Sequence, residues 1–513
     1  MSTRHEPYAR IRRLALRGHF AMAQELLEQL VEEAPSVGAT AAVARNDLAV
    51  LAALQGDVAG ARRQLVSVVS DHPAAVAALE NLQLLMGQQE PNELADRSSF
   101  RTRVAVVSML FNWPSTGGGT VHTKELCQFL AGAGYEVLHI IAHHASWGVG
   151  QLQSDLGYPH EVLPFADRDW TAQTIRTRFR DAVDQFEPDA VIVTDSWNTK
   201  PLLCEAVSSH RYFVRIAALE AICPLNNVRL LFDEQGEFRQ CDQNQLAAPG
   251  KCRRCVERSG HFSGQLHRAE RALAGFEDAE YGQRLREAFE RAAGVLVVNP
   301  SIADLVRPFA PAVHVIPSGF DDRRFPPPSP SLPAHADGTT RILFAGLPDE
   351  PMKGFAVLDQ AATRLWEQRQ DFEVVVTASP PASINPWLRY VGWQTQKQLP
   401  FLMQATDLLV FPTVAQEALG RSAVEAMACS RPVVASRIGG LSWVVEDERT
   451  GLLFAPGDVA GLCRQLERLL DDRELRGRLG AAGRAKFEKA FTWESVIQQQ
   501  YMPLLGEPAR KTN

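Results

Sequence analysis

Residues 411–436, FPTVAQEALGRSAVEAMACSRPVVAS, decide the fold. The run LLVF at 408–411 is short, apolar and stopped by Pro412, which reads as a buried strand. A polar turn containing Gly420 follows. Residues 422–429 carry Ala and Met and no breaker, so they read as a helix. Pro432 then opens a second apolar run, PVVAS. Strand, loop, helix and strand in that order make one parallel α/β unit. Glu417 falls in the loop beyond the strand's C-terminal end, and Glu425 falls in the first turns of the helix. The crevice beyond the strand ends is where open α/β sheets bind ligands.

A sugar nucleotide suits that crevice chemically. A helix N-terminus offers unpaired N–H groups and a positive dipole end to a phosphate. Gly420 lets the backbone approach a diphosphate, and a carboxylate accepts hydrogen bonds from paired sugar hydroxyls. Taken singly, Glu417 and Glu425 read as solvated charges; their spacing, the glycine and the strand context together favour a site.

The segment resembles the E-x7-E signature of retaining glycosyltransferases of the family-four type, whose fold is GT-B. The resemblance implies a nucleotide-diphospho-sugar donor held mainly by the C-terminal domain. It implies that Glu417 faces the donor sugar and Glu425 the ribose. Leu419 stands where the family usually has Phe.

The chain has 513 residues, so more than one domain is expected. With 45% hydrophobic and 22% charged residues it has the composition of a soluble globular protein. A net charge of −7 argues against a partner dominated by a nucleic-acid backbone. No stretch approaches the ~20 apolar residues of a membrane span. The first residues, MSTRHEPYARIRRLALRG, lack an apolar signal region, and eight cysteines then fit reduced thiols in the cytoplasm.

Residues 9–35 and 47–73 repeat one another: Gly18 matches Gly56, Ala21 Ala59, Ala23 Ala61, Leu27 Leu65 and Pro35 Pro73. Small residues alternate with Leu and Val at helical spacing, which predicts tetratricopeptide-like helix hairpins over residues 1–90, with a third helix at 75–86. Such an array serves as a docking surface for a protein partner, as a self-association surface, or as a structural extension. Residues 88–100 read as a linker.

A first α/β domain is expected over 100–325. VAVVSML opens it as a strand, a helix is expected at 121–133, and VLHIIA is the next strand. Gly117, Gly118 and Gly119 lie at the strand–helix junction, where backbone N–H groups can meet an anion. The family resemblance assigns Gly118 and Gly119 to the donor diphosphate. AVIVTDS, YFVRIA, GVLVVN and VHVIPSG are further strands, with Asp195 just past a strand end, where it could face the cleft. Pro317, Gly319, Asp321 and Phe325 resemble the family's turn between domains. Family members often carry a His after the strand corresponding to 212–217; here Arg215 or Glu220 are the substitutes at hand.

Residues 220–275 form an insertion with Cys223, Cys241, Cys252 and Cys255. Four thiols suit tetrahedral zinc. The first two spacings are long and only one C-x2-C pair exists, so free thiols or a redox pair are expected ahead of zinc. The insertion is basic, with Lys251, Arg253, Arg254, Arg258, Arg268 and Arg271. This run reads as a solvated face, or as a contact for an anionic acceptor or a membrane surface.

Residues 326–338 are Pro-rich, as an interdomain linker should be. A second α/β domain is expected over 339–490, beginning with RILFAG. Lys353 ends a loop before a helix, where it can hold a diphosphate as a point charge. The family has an Arg as well, near Leu347, where this sequence has none; either Arg421 beside Gly420 supplies that charge, or activity is reduced or the donor altered. FEVVVTAS and LRYVGW are strands, and Trp393 after the second either lines a nucleobase pocket, as the family position implies, or packs in the core. Residues 491–513 are expected to cross back to the first domain.

The expected architecture is α/β: two Rossmann-like domains facing a cleft, with an all-α N-terminal extension. The expected activity is retaining transfer from a UDP- or GDP-linked sugar to an unidentified glycan, small molecule or protein. Glu417 and Lys353 would act catalytically, and Gly118, Gly119, Trp393, Gly420, Arg421, Ser422 and Glu425 would bind the donor, without metal or other cofactor. The rival readings are another GT-B nucleotide-sugar enzyme and a catalytically silent scaffold.

Overall fold

A computed structural model describes parts of residues 11–81 and residues 102–508, apart from 116, 233–237, 261–263, 326–334, 336–337 and 382–384. It divides into two units, 1–99 and 100–513.

In the first unit, helices α1 (Phe20–Glu33) and α2 (Ala39–Leu54) pack on each other. Ala23 and Leu27 are fully buried, and so are their repeat counterparts Ala61 and Leu65. Buried Asn46 accepts from the Asn81 amide at 2.9 Å. The punctuating residues Gly18, Gly56, Pro35 and Pro73, the linker 88–100 and all of the expected third helix but Asn81 lie outside the described residues.

The second unit holds two parallel sheets. The first contains β1 (Arg103–Ser108), β2 (Glu136–His143), β3 (His160–Pro164), β4 (Ala190–Thr194), β5 (Tyr212–Ile216), β8 (Gly294–Val297) and β9 (Val313–Val315), in the order β3-β2-β1-β4-β5-β8-β9. The second contains β10 (Thr340–Phe344), β11 (Phe372–Val376), β12 (Leu388–Tyr390), β13 (Leu408–Phe411), β14 (Val433–Ser436) and β15 (Gly451–Phe454), in the order β12-β11-β10-β13-β14-β15. Both orders place the first strand beside the fourth, which is the doubly wound switch. Strands such as β4 and β5 are buried at every position, as a sheet covered on both faces requires. Between β5 and β8 lie, among the described residues, an antiparallel pair, β6 (Leu230–Phe232) and β7 (Phe238–Gln240), and three helices, α4 (Pro249–Ser259), α5 (Gln265–Ala274) and α6 (Tyr281–Glu290).

The segments joining the lobes cross as a short parallel bridge. The Phe320 N–H donates to the Phe491 carbonyl at 2.8 Å, and the Trp493 N–H donates to the Phe320 carbonyl at 3.1 Å. Gly319 permits this: a Cβ there would lie 2.3 Å from the Trp493 ring. Trp493, Val496, Ile497, Tyr501 and Leu505 share a hydrophobic cluster with Val104, Val106, Leu126 and Leu130, so the C-terminal segment is part of the first lobe's core.

Candidate active site

The helix after β1, α3 (Gly118–Gly132), begins three residues earlier than expected. Gly118 and Gly119 are therefore its first two residues, and their N–H groups are among those that a helix leaves unpaired. Opposite, α7 (Arg421–Ala428) begins after Gly420, which has φ +77°. A Cβ on Gly420 would also lie 2.5 Å from Leu441 Cδ2, so both backbone conformation and space call for glycine. The two helix N-termini meet across the lobes: a Cβ on Gly118 would lie 3.3 Å from Arg421 Cδ.

Lys353 and Glu417, 64 residues apart, are joined: Lys353 Nζ donates to Glu417 Oε1 at 2.9 Å. Their loops are tied by backbone. The Val414 N–H and the Thr413 hydroxyl both donate to the Met352 carbonyl, at 3.0 and 2.8 Å. Gly354, at φ +72°, makes this possible, since a Cβ there would lie 1.9 Å from the Pro412 carbonyl oxygen. On its other side the Glu417 carbonyl accepts from the Gly440 N–H at 2.8 Å. The ion pair thus stands on two loops held at the ends of β10 and β13.

Glu425 is buried beside Arg421 and Arg324. Burial pushes its carboxyl up, Arg421 and Arg324 draw it back down, and Glu125 adds to the rise. Arg421 stacks 4.3 Å over the Phe320 ring, and its Nη1 and Nη2 are buried without a hydrogen-bond partner among the described residues. Ser422 follows it in the first turn. Trp393 is 60% exposed beyond β12, which excludes the core-packing reading. Leu347 is exposed just past β10.

Several residues of the cleft have no signal in the sequence. Glu125 on α3 faces the second lobe, with Arg324 Nη1 at 3.6 Å and Arg421 Nη2 at 3.8 Å, and accepts from Trp493 Nε1 at 3.1 Å. Asn299 donates from Nδ2 to the Ala418 carbonyl at 2.5 Å, bridging the lobes next to Glu417. His122 is buried against Trp493, and burial, helped by Arg215 and Arg421, holds its imidazole well below the usual range and therefore neutral. Asp195, by contrast, is expected from its place past a strand end to be able to face the cleft; it has φ +40°, and its Oδ2 is covered and without a hydrogen-bond partner among the described residues. It faces α3: a Cβ on Gly119 would lie 3.7 Å from its Oδ1. Burial pushes its carboxyl up to about 6, against the pull of Thr123, Lys200 and Thr120.

Neither substitute for the family's His lies free at the cleft. Arg215 is buried and donates to the Ile316 carbonyl at 2.6 Å. Glu220 accepts from the Ala217 and Ala218 N–H groups at 2.8 and 2.7 Å. The basic run in the insertion is not a single solvated face either, because Arg271 is buried and donates to the Pro224 and Gly260 carbonyls.

Residues 339–472 match the family model "Glycosyl transferases group 1". The chain is 32% identical over 218 residues to MMP alpha-(1->4)-mannosyltransferase of Mycolicibacterium hassiacum, covering 40% of this chain and 51% of that protein. It is 31% identical over 214 residues to 2-deoxystreptamine glucosyltransferase of Streptomyces kanamyceticus, covering 36% and 54%. The chain spans about half the length of the curated relatives it matches. Among solved structures, sucrose-phosphate synthase of Thermosynechococcus elongatus is 18% identical, covering 79% of this chain and 99% of that one, with TM-score 0.52. Anabaena Alr3699/HepE in complex with UDP and glucose is 15% identical, covering 79% and 100%, with TM-score 0.53. Among the described residues no helix is long and apolar enough to cross a membrane. By sequence, residues 339–472 are similar to the group 1 glycosyltransferases, and by structure the two lobes have the GT-B fold.

Proposed function

We propose that this protein is a retaining glycosyltransferase of the family-four type, moving a sugar from a UDP- or GDP-linked donor to a hydroxyl-bearing acceptor. The observation that carries the reading is the Lys353–Glu417 pair standing beside the point where the helix N-termini of both lobes converge. A diphosphate there meets unpaired N–H groups at 118–119 and 421–422, two positive dipole ends and the cations Lys353 and Arg421. These stabilise the charge that develops on the leaving diphosphate, which is electrostatic catalysis. When donor binds, Lys353 exchanges its carboxylate partner for phosphate, and Glu417 turns to the sugar hydroxyls. Glu425 takes the ribose, and Trp393 offers a face to the base. Asp195, with its unpartnered oxygen at the first lobe's wall, takes a hydroxyl of the bound sugars.

Arg421 fills the role that an Arg at position 347 plays in the resembling family: its Nη1 and Nη2 are covered, without a hydrogen-bond partner among the described residues, and its side chain lies close to Gly118. The reading includes a cytoplasmic location, where nucleotide sugars are available, and protein docking on the N-terminal helices. The exposed Leu347 favours one rival, a silent scaffold that binds nucleotide without turnover.

Incubation with a panel of nucleotide sugars, read by mass spectrometry, separates the two. Release of UDP or GDP from one donor, or transfer of its sugar, supports the enzyme. Nucleotide binding with no donor consumed, even with glycan and lipid acceptors present, supports the scaffold.

A further inference from the structure

The four cysteines of the insertion are distant in sequence but line one cavity of about 400 Å³. They arrive from three pieces of chain: Cys223 from the segment after β5, Cys241 immediately after β7, and Cys252 and Cys255 from α4. The last two are spaced i and i+3, so they share a helix face. The other cysteines, Cys127, Cys204, Cys429 and Cys463, belong to or pack against separate apolar clusters of the two lobes. None of the eight forms a disulfide.

The walls between the thiols are mainly cationic, with Arg239, Lys251, Arg254 and Arg258 against one carboxylate, Asp242. Around the thiols themselves the packing is thin, with Val256 of α4 only partly buried against the first lobe's core. β6 and β7 are three residues each, and the only buried side chain of α4 is Cys252. Short elements without their own apolar core are the ones that chains staple, by a disulfide or by a metal.

We infer that Cys223, Cys241, Cys252 and Cys255 bind one zinc ion as a structural four-thiolate site. Binding releases four protons, one from each thiol, and leaves a zinc–tetrathiolate of net charge −2 that the four lining cations offset. Among the described residues no three His, Cys, Asp or Glu side chains already stand at metal-ligand spacing. The site therefore forms by rotation of the thiols into the cavity they share, as in metal-coupled folding, rather than by filling a finished cage.

A redox pair would use Cys252 and Cys255 alone, whereas all four thiols line the one cavity. The consequence for the cleft is positional. The Cys223 carbonyl accepts from Trp197 Nε1 at 2.9 Å, anchoring one ligand on the first lobe. Zinc would pin β7 and α4 to that anchor and so fix the loop carrying Ala217 and Glu220 beside Asp195.

Elemental analysis of the purified full chain tests this, and its readout does not depend on transferase activity. About one zinc per chain is expected, lost in Cys252→Ser and Cys255→Ser and retained in Cys463→Ser. Cobalt exchange should give thiolate-to-metal charge-transfer bands and tetrahedral visible bands. Wild-type protein with far less than one zinc, in which all four thiols react with a thiol reagent without prior chelation, overturns the proposal. So does a mass lower by two hydrogens, which marks a disulfide, or iron accompanied by acid-labile sulfide. Should the Ser variants fail to fold, the wild-type metal ratio and its thiol count still decide.

Discussion

The two lobes share a strand order but build their walls of the cleft differently. In the second lobe the charged groups stand on loops fixed by backbone: Lys353 and Glu417 are paired, their loops are joined through Met352 and Thr413, and Gly354 and Gly420 permit the close approaches. In the first lobe the ionisable groups are sunk into the wall: Asp195 with a covered oxygen, His122 neutral, Arg215 buried. The comparison teaches a division of labour. On the proposed function, the second lobe would present charge to the donor, and the first would present helix dipole and a few desolvated groups to whatever meets the donor there. The insertion belongs to the first lobe, and the family match at 339–472 to the second.

If that division holds, variants in the second lobe should cost most. Glu417→Ala should lower donor turnover on the order of 1,000-fold, with thermal midpoint and circular dichroism unchanged; full turnover would remove Glu417 from the site. Lys353→Ala should cost on the order of 100-fold, with little change in stability because the pair is partly exposed. Arg421→Ala should weaken UDP binding about tenfold by calorimetry, and adding Leu347→Arg should restore it. Failure of that rescue would show that the guanidinium does not do the work of an Arg at 347.

The first lobe offers a smaller, pH-dependent effect at Asp195. Its folded pKa of about 6 lies above the ordinary carboxylate value of 3.8. The native state therefore holds this proton more tightly than the unfolded chain, and stability falls as pH rises between those two values and then levels off. Asp195→Asn should abolish that fall, raise the thermal midpoint by about 2 °C at pH 7.5 and nothing at pH 3.5, and reduce turnover at both ends of the activity range. An unchanged stability profile would mean that Asp195 is hydrated in solution.

The strands most legible in the sequence were those whose apolar runs are unbroken, such as β1, β4, β11 and β13, because burial on both faces removes polar alternation. β3 was not legible: His160–Pro164 is an edge strand, only one of its residues is buried, and it ends on proline. The loops with Lys353, Glu417 and Gly420 could be read because each feature lies next to its own strand or helix. Glu125 and Asn299 could not, since each acquires its place only when the second lobe docks against it. The positive φ of Asp195 left no trace either, because glycine is the residue that ordinarily signals such a position. The cysteine cavity was legible as composition only; its spacing becomes meaningful once β7 and α4 fold back on Cys223.

The most direct test of the account is a crystal structure of the full chain grown with UDP. The diphosphate is expected between the two helix N-termini, within hydrogen-bond distance of Lys353 Nζ and of N–H groups at 118–119 and 421–422, with Glu425 on the ribose. Nucleotide bound elsewhere, or a diphosphate touching neither Lys353 nor α3, would contradict the claim that both lobes grip it.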